Sequence, residues 1–232
     1  MELVWEGFKK ALEMIMTGDP EILHITWLTL RVSMTATLIS VIMGIPLGVI
    51  LGLTTFPGRK LIVTIINIGM GLPPVVAGLW VTLLLWRSGP LGQHALLYTP
   101  TAIIAAQVLV SLPIIIGLTT SAFQQIDHRL RMQIKALGAS RWQSVLILLK
   151  ESRLAILAAI MAGLGRVLAE VGASMMVGGN IKGETRILTT AMVMEVSKGN
   201  FDIAIALSFI LMALAFLITF LLTYLQQGKK SV

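Results

Sequence analysis

Asp127-His-Arg-Leu-Arg-Met-Gln-Ile-Lys-Ala-Leu-Gly-Ala-Ser-Arg-Trp-Gln-Ser-Val-Leu-Ile-Leu-Leu-Lys-Glu-Ser-Arg153 is a charged island in an otherwise apolar chain. It holds six of the 18 Lys and Arg residues: Arg129, Arg131, Lys135, Arg141, Lys150 and Arg153. Long uncharged runs flank it on both sides. Leu130, Ile134 and Leu137 stand at i, i+4 and i+7, and Arg131 and Lys135 take another face, which is the pattern of a short amphipathic helix. Gly138 is suited to the left-handed residue that ends such a helix. Ser140 can then open a second helix, with Gln143 three residues on to complete a capping box. Helix, glycine turn, helix is the expected shape. A polar element of this length between two membrane spans is either a docking surface or an ordinary basic loop.

The remainder of the chain fixes the class. Of its 232 residues 56% are hydrophobic and 12% charged, and the mean hydropathy is +0.89. Soluble domains carry about 25% charged residues, so the chain is an all-α integral membrane protein. Its apolar runs are continuous, not alternating as in barrel strands. Spans are expected over 26–53, 61–86, 101–123, 154–178 and 203–224, with 127–153 as the polar loop, all within one domain of 232 residues. Residues 1–20 read as an amphipathic helix ending at Asp19-Pro20. Val4, Phe8, Ala11 and Ile15, with Trp5 and Leu12, form one stripe; Glu2, Glu6, Lys9 and Glu13 form the other. It is expected to lie flat at the interface. No cleavable signal peptide is evident. The chain has no cysteine, hence no disulfide framework. The net charge of +7 reflects loops held on the cytoplasmic side, not nucleic-acid binding. With the island cytoplasmic, that side also holds Arg59, Lys60, Lys229 and Lys230. The N-terminus then lies outside and the C-terminus inside, in a multi-pass cell-membrane protein.

Three features inside the spans carry specific expectations. Ser40, Gly44, Gly48 and Gly52 recur every four residues and offer a face for close helix packing. Gly69, Gly71, Pro73 and Pro74 interrupt the second span, either as a kink or where unwound backbone lines a cavity. Arg166 and Glu170 stand at i, i+4 in the fourth span. A charge in hydrocarbon costs about 2.5–3.5 kcal/mol or more, so they form a structural ion pair or mark a translocation route. His24, His94 and His128 are scattered, so no metal site is expected. No G-x-x-x-x-G-K-[ST] occurs, so ATP is not expected on this chain. No Ser-His or Asp-Asp grouping suggests an intramembrane enzyme.

Ala136-Leu-Gly138-Ala-Ser140, leading by a helix into a span, resembles the EAA loop of ABC importer permeases. Met132, Gln133 and Ile134 stand where that family has Glu-Ala-Ala, and Lys150 and Glu151 where it has Leu-Pro. Gly165-Arg-Val-Leu-Ala-Glu-Val-Gly-Ala-Ser174, with Gly179-Asn180-Ile and Thr185-x-x-Leu188-Thr-Thr-Ala191, resembles the molybdate and sulfate class of these permeases. Gly71-Leu-Pro-Pro-Val-Val-Ala-Gly78, Arg87-Ser-Gly-Pro-Leu-Gly92 and Leu97-Tyr-Thr-Pro100 are similar to its tungstate-type branch. The resemblance covers most of residues 60–195. It implies a type I importer fold, a second copy of the chain, two ATPase subunits carrying ATP and Mg, and a periplasmic or lipid-anchored substrate-binding protein. It implies ATPase coupling through Leu130, Ile134, Ala136, Leu137, Gly138, Ala139 and Ser140, and transport of tungstate or molybdate. Another solute such as sulfate or an amino acid, or a channel or transporter without an ATPase, remains the alternative.

Overall fold

The computed structural model describes residues 2–227, and Lys229 and Lys230 lie outside the described residues. The described chain is helical: α1 (Glu2–Met16), α2 (Pro20–Leu53), α3 (Arg59–Met70), α4 (Pro74–Leu85), α5 (Pro100–Gln124), α6 (His128–Ala136), α7 (Arg141–Glu151), α8 (Arg153–Leu168), α9 (Gly172–Gly178), α10 (Leu188–Ser197) and α11 (Phe201–Gln227), with a 3-10 turn at Gly92–His94. Helices α2, α5 and α11 are each long and apolar enough to cross a membrane. Two bent pairs, α3 with α4 and α8 with α9, bring the total to five spans if each pair is one span.

Helices α2 and α5 form the centre. Ser40 Oγ and Ser111 Oγ are hydrogen-bonded at 2.7 Å. A Cβ at Gly44 would meet Ile115 Cγ2 at 2.9 Å, one at Gly48 Thr119 Cβ at 2.6 Å, and one at Gly52 Phe123 Cβ at 2.5 Å. The contacts advance by four residues on both helices, so α2 and α5 run parallel with α3 and α4 returning between them. Small side chains at these positions let two backbones approach, which is the main source of van der Waals gain where lipid is as apolar as leucine.

Both bent pairs depart from straight spans. Helix α3 ends at Met70, and α4 starts at Pro74 after a turn of 106°. Leu72 ends in a sequence that cannot donate from Pro73 or Pro74, so the ladder stops there. Between α8 and α9 the axis bends by 57°. The sequence reading drew 154–178 as one span, because no proline marks the break. The broken halves meet each other: a Cβ at Gly78 would lie 2.6 Å from Ala173 Cα, and one at Gly172 would lie 2.6 Å from Val75 Cγ2.

At one end, Asp19 accepts from Glu21 N and Ile22 N, and Pro20 opens α2 six residues earlier than hydropathy suggested. Helix α1 is held against α11. A Cβ at Gly7 would meet Ile205 Cγ2 at 2.4 Å, Lys10 pairs with Asp202, and Phe8 meets Phe209 edge-on. Gly7 and Ala11 form its buried side, while Val4, Trp5, Leu12 and Ile15 of the expected stripe face outward. The amphipathic pattern located the apolar side, but the tight contact is made by the glycine beside it.

Enlarging Gly48 to Leu should lower the thermal stability of the detergent-solubilised protein by about 1–3 kcal/mol, the usual effect of overpacking. Gly165→Ala should leave it unchanged or slightly higher, since a Cβ there meets nothing within 4 Å. Parallel melting curves of the two variants check this.

Candidate coupling surface and membrane pathway

The island folds as two capped helices. Asp127 accepts from Arg129 N at 2.8 Å to start α6. Gly138 has φ +77° and open space around it, a conformation that costs a residue with a Cβ about 1–2 kcal/mol. Ser140 N donates to Gln143 Oε1 at 2.8 Å, and Gln143 N donates to Ser140 Oγ at 3.3 Å. Both arms of the capping box are therefore present. Helix α7 passes through Ser152 directly into α8.

The apolar stripe divides. Ile134 is buried and Leu130 partly buried, in a core with Val49, Phe123, Leu148 and Ile156. They seat the island on α2, α5 and α8. Leu137 is 86% exposed, and Trp142, at 80%, lies beside it in sequence across the turn. Ile134 of the expected coupling set is buried and packs inside the fold. Ala136 and Ser140 are exposed, and Ala139 is partly buried. The outward apolar group is Leu137 and Trp142, with Met132 and Leu146 also exposed. Trp142 was not singled out from sequence, although an aromatic residue two positions after the capping serine is a visible signal.

Two cations are tied to helix ends. Arg131 donates to the carbonyl of Phe123 at the end of α5, and Arg59 Nε donates to Leu51 O at 2.8 Å at the end of α2. Both satisfy carbonyls that a helix end leaves without partners, and both oppose the negative end of the dipole.

Inside the spans, Arg166 and Glu170 do not pair. Glu170, 3% exposed, accepts from Ala173 N at 2.6 Å, Ser174 N at 2.9 Å and Ser174 Oγ at 2.5 Å. Its carboxylate caps α9, and the donors it satisfies would otherwise be orphaned in hydrocarbon. Its backbone carbonyl accepts from Thr189 Oγ1 at 3.0 Å, joining the break to α10. Glu170 thus holds the α8–α9 break from both its side chain and its backbone. Arg166 Nε is buried without a hydrogen-bond partner, and among the described residues no carboxylate forms an ion pair with Arg166. The structural ion pair is corrected for that reason.

The far end is polar and well tied. Glu21 pairs with Lys182 at 2.5 Å and Arg186 at 3.2 Å. Thr185 Oγ1 accepts from Ile181 N and donates to Gly178 O, closing the loop after α9. Glu195 accepts from Asn200 Nδ2 at 2.7 Å and Lys198 Nζ at 2.8 Å. The Asn200 hydrogen bond, then the Lys198 bond, hold its carboxyl below the ordinary value of 4.5.

With this geometry in place, the comparisons define the class. Residues 44–231 match the family described as binding-protein-dependent transport system inner membrane component. The chain belongs to that family. It is the membrane-spanning permease subunit of an ABC importer. It is 38% identical over 227 residues to the tungstate uptake system permease protein TupB of Peptoclostridium acidaminophilum, covering 98% of this chain and 100% of that one. It is 40% identical over 198 residues to a probable anion ABC transporter permease protein of Haloferax volcanii, covering 83% and 85%. The molybdenum transport system permease protein ModB of Escherichia coli K12 is 30% identical over 187 residues, covering 77% and 81%. The fold matches a bacterial ABC transporter involved in import of the acidic polysaccharide alginate (TM-score 0.75, 20% identity, 90% of this chain and 80% of that one). It also matches the MetNI methionine ABC transporter (TM-score 0.70, 22% identity, 87% and 93%).

Glu170→Ala should destabilise the protein by about 3 kcal/mol, because buried donors lose their acceptor; Ser174→Ala should cost about 1 kcal/mol. Denaturant titration of the two variants measures the order. Because the folded-state pKa of Glu195 is lowered, its contribution is fully present above the unfolded value and lost as pH falls through the lower one. Melting temperatures taken from neutral pH downward should fall below about pH 4.5, and Glu195→Gln should flatten that part of the profile.

Proposed function

We propose that two copies of this chain form the pore of an ATP-driven importer of a tetrahedral oxyanion, tungstate first and molybdate next. Two ATPase subunits dock at the island, and an extracytoplasmic binding protein delivers the anion at the opposite end. The near full-length similarity to a tungstate uptake permease carries the substrate reading. The exposed pair Leu137 and Trp142 carries the docking reading, since an aromatic and an aliphatic anchor on a rigid turn suit a partner's pocket. The island faces the cytoplasm, in line with its Lys and Arg content, and α1 begins outside.

In this cycle ATP closes the ATPase dimer and draws the two islands together. Each island is seated on α2, α5 and α8 by Ile134, Leu148 and their neighbours, so it moves the spans as rigid bodies. Hydrolysis and release reset the pore by alternating access. The chain itself performs no chemistry, and ATP with Mg belongs to the partner.

Co-purification with the cognate ATPase tests the docking site. Leu137→Asp and Trp142→Ala should each weaken retention by about tenfold or more, as loss of a central anchor does. Ile134→Ala should instead lower the melting temperature by opening a cavity. ATPase retention that is indifferent to Leu137 and Trp142 would falsify this docking surface.

A further inference from the structure

We infer that Arg166 is the permease's own contact for the oxyanion partway along its route, an assignment that rests on the oxyanion reading above. Three other arginines that pack against the helical bundle have side-chain partners: Arg59 and Arg131 hold helix-end carbonyls, and Arg186 holds Glu21. Arg166 has none. Its neighbour at i+4, Glu170, turns its carboxylate to three donors of α9 and not to the guanidinium. Its Nε is buried and donates to nothing. A cation so placed in a span is held where water or an anion reaches it, not against lipid.

The face of α8 beside it supports this. Ala155, Ala158, Ala162, Gly165 and Ala169 recur at three- and four-residue spacing, and all are exposed. At 100° per residue Arg166 stands on the flank of that stripe. Elsewhere the outward surfaces carry large apolar side chains suited to lipid, such as Phe216, Leu217 and Phe220 on α11 or Leu61, Ile65 and Ile68 on α3. A smooth strip of small residues with one cation at its edge leaves room for a hydrated or partly hydrated anion. A guanidinium can hold two oxygens of a tetrahedral anion in its planar fork. One such contact per chain discriminates charge yet does not enclose the anion, so release stays fast.

The absence of cysteine makes Arg166→Cys a unique thiol. The complex of permease, cognate ATPase and binding protein is reconstituted in proteoliposomes and assayed with tungstate. Arg166→Met should assemble and keep ATP hydrolysis stimulated by the binding protein. Its tungstate uptake should fall by about tenfold or more, the worth of one charge-assisted hydrogen bond, and Arg166→Lys should retain most of it. In Arg166→Cys, a methanethiosulfonate bearing an ethylammonium group should restore uptake, one bearing an ethylsulfonate should not, and tungstate should slow both modifications. Uptake by Arg166→Met equal to wild type, equal effects of the two reagents, or a thiol that neither reagent reaches in the assembled complex overturns the assignment. Should Arg166→Met not assemble, the cysteine variant carries the test alone. A wild-type complex that moves no oxyanion refutes the functional reading; a wild-type complex that moves it with Arg166→Met doing the same refutes only the role of Arg166.

Discussion

The approach of α2 to α5 is the constraint on which the remaining structure depends. In a bilayer the helices gain little from leaving lipid, so close backbone contact has to supply the attraction. Ser40, Gly44, Gly48 and Gly52 let α2 come within a side-chain-free distance of α5 over four turns. That parallel pair then fixes where everything else goes. At one end it carries Val49 and Phe123 into the core under the island. Nearer the other end Leu28, Val32, Ile103 and Ala106 meet α4 and α9. A single seam of small residues thus aligns the island and the broken helices.

The seam was legible in the sequence because it is a local repeat. The island's two helices were legible for the same kind of reason: Asp127, Gly138, Ser140 and Gln143 are capping signals that act within three or four residues. What could not be read was the use of each side chain once the chain had folded. Leu130, Ile134 and Leu137 look equivalent by spacing. In the structure the first two pack toward the spans and the third, at the end of α6 just before Gly138, is exposed. Which member of a stripe is spent on the fold depends on where the spans stand, and no short window of sequence contains that.

The α8–α9 break shows the same limit more sharply. Pro73 and Pro74 announce the first break, since proline lacks the donor that a helix interior needs. The second break has no such residue. Glu170 holds it by offering α9 a set of acceptors, and glutamate in a helical pattern at i+4 from arginine invites an ion-pair reading instead. The competing interaction is backbone capping, which is favoured here because an unpaired N–H in the membrane has no water to turn to. Thr189 then fixes the carbonyl of the same residue, so Glu170 is bound through both side chain and backbone.

This arrangement also couples the two ends of the fold. Helix α7 runs through Ser152 into α8 without an intervening loop, and Leu148 and Ile156 on either side of that junction share one core with Phe123. In the proposed cycle a displacement of the island is passed along α8 up to its last turn, where Arg166 stands. Beyond that turn the axis bends at Glu170, and α9 is locked to α4 by the contacts at Gly78 and Gly172. In the proposed cycle α8 moves with the island, and the bend at Glu170 separates it from α9. Strain introduced from the ATPase side would concentrate at Ala169–Val171, the one place along this span where backbone hydrogen bonds are already replaced by a side chain. In the proposed cycle a cation at the edge of that junction would change its surroundings as the pore turns, which is what alternating access requires of a contact that must hold an anion in one state and let it go in the next.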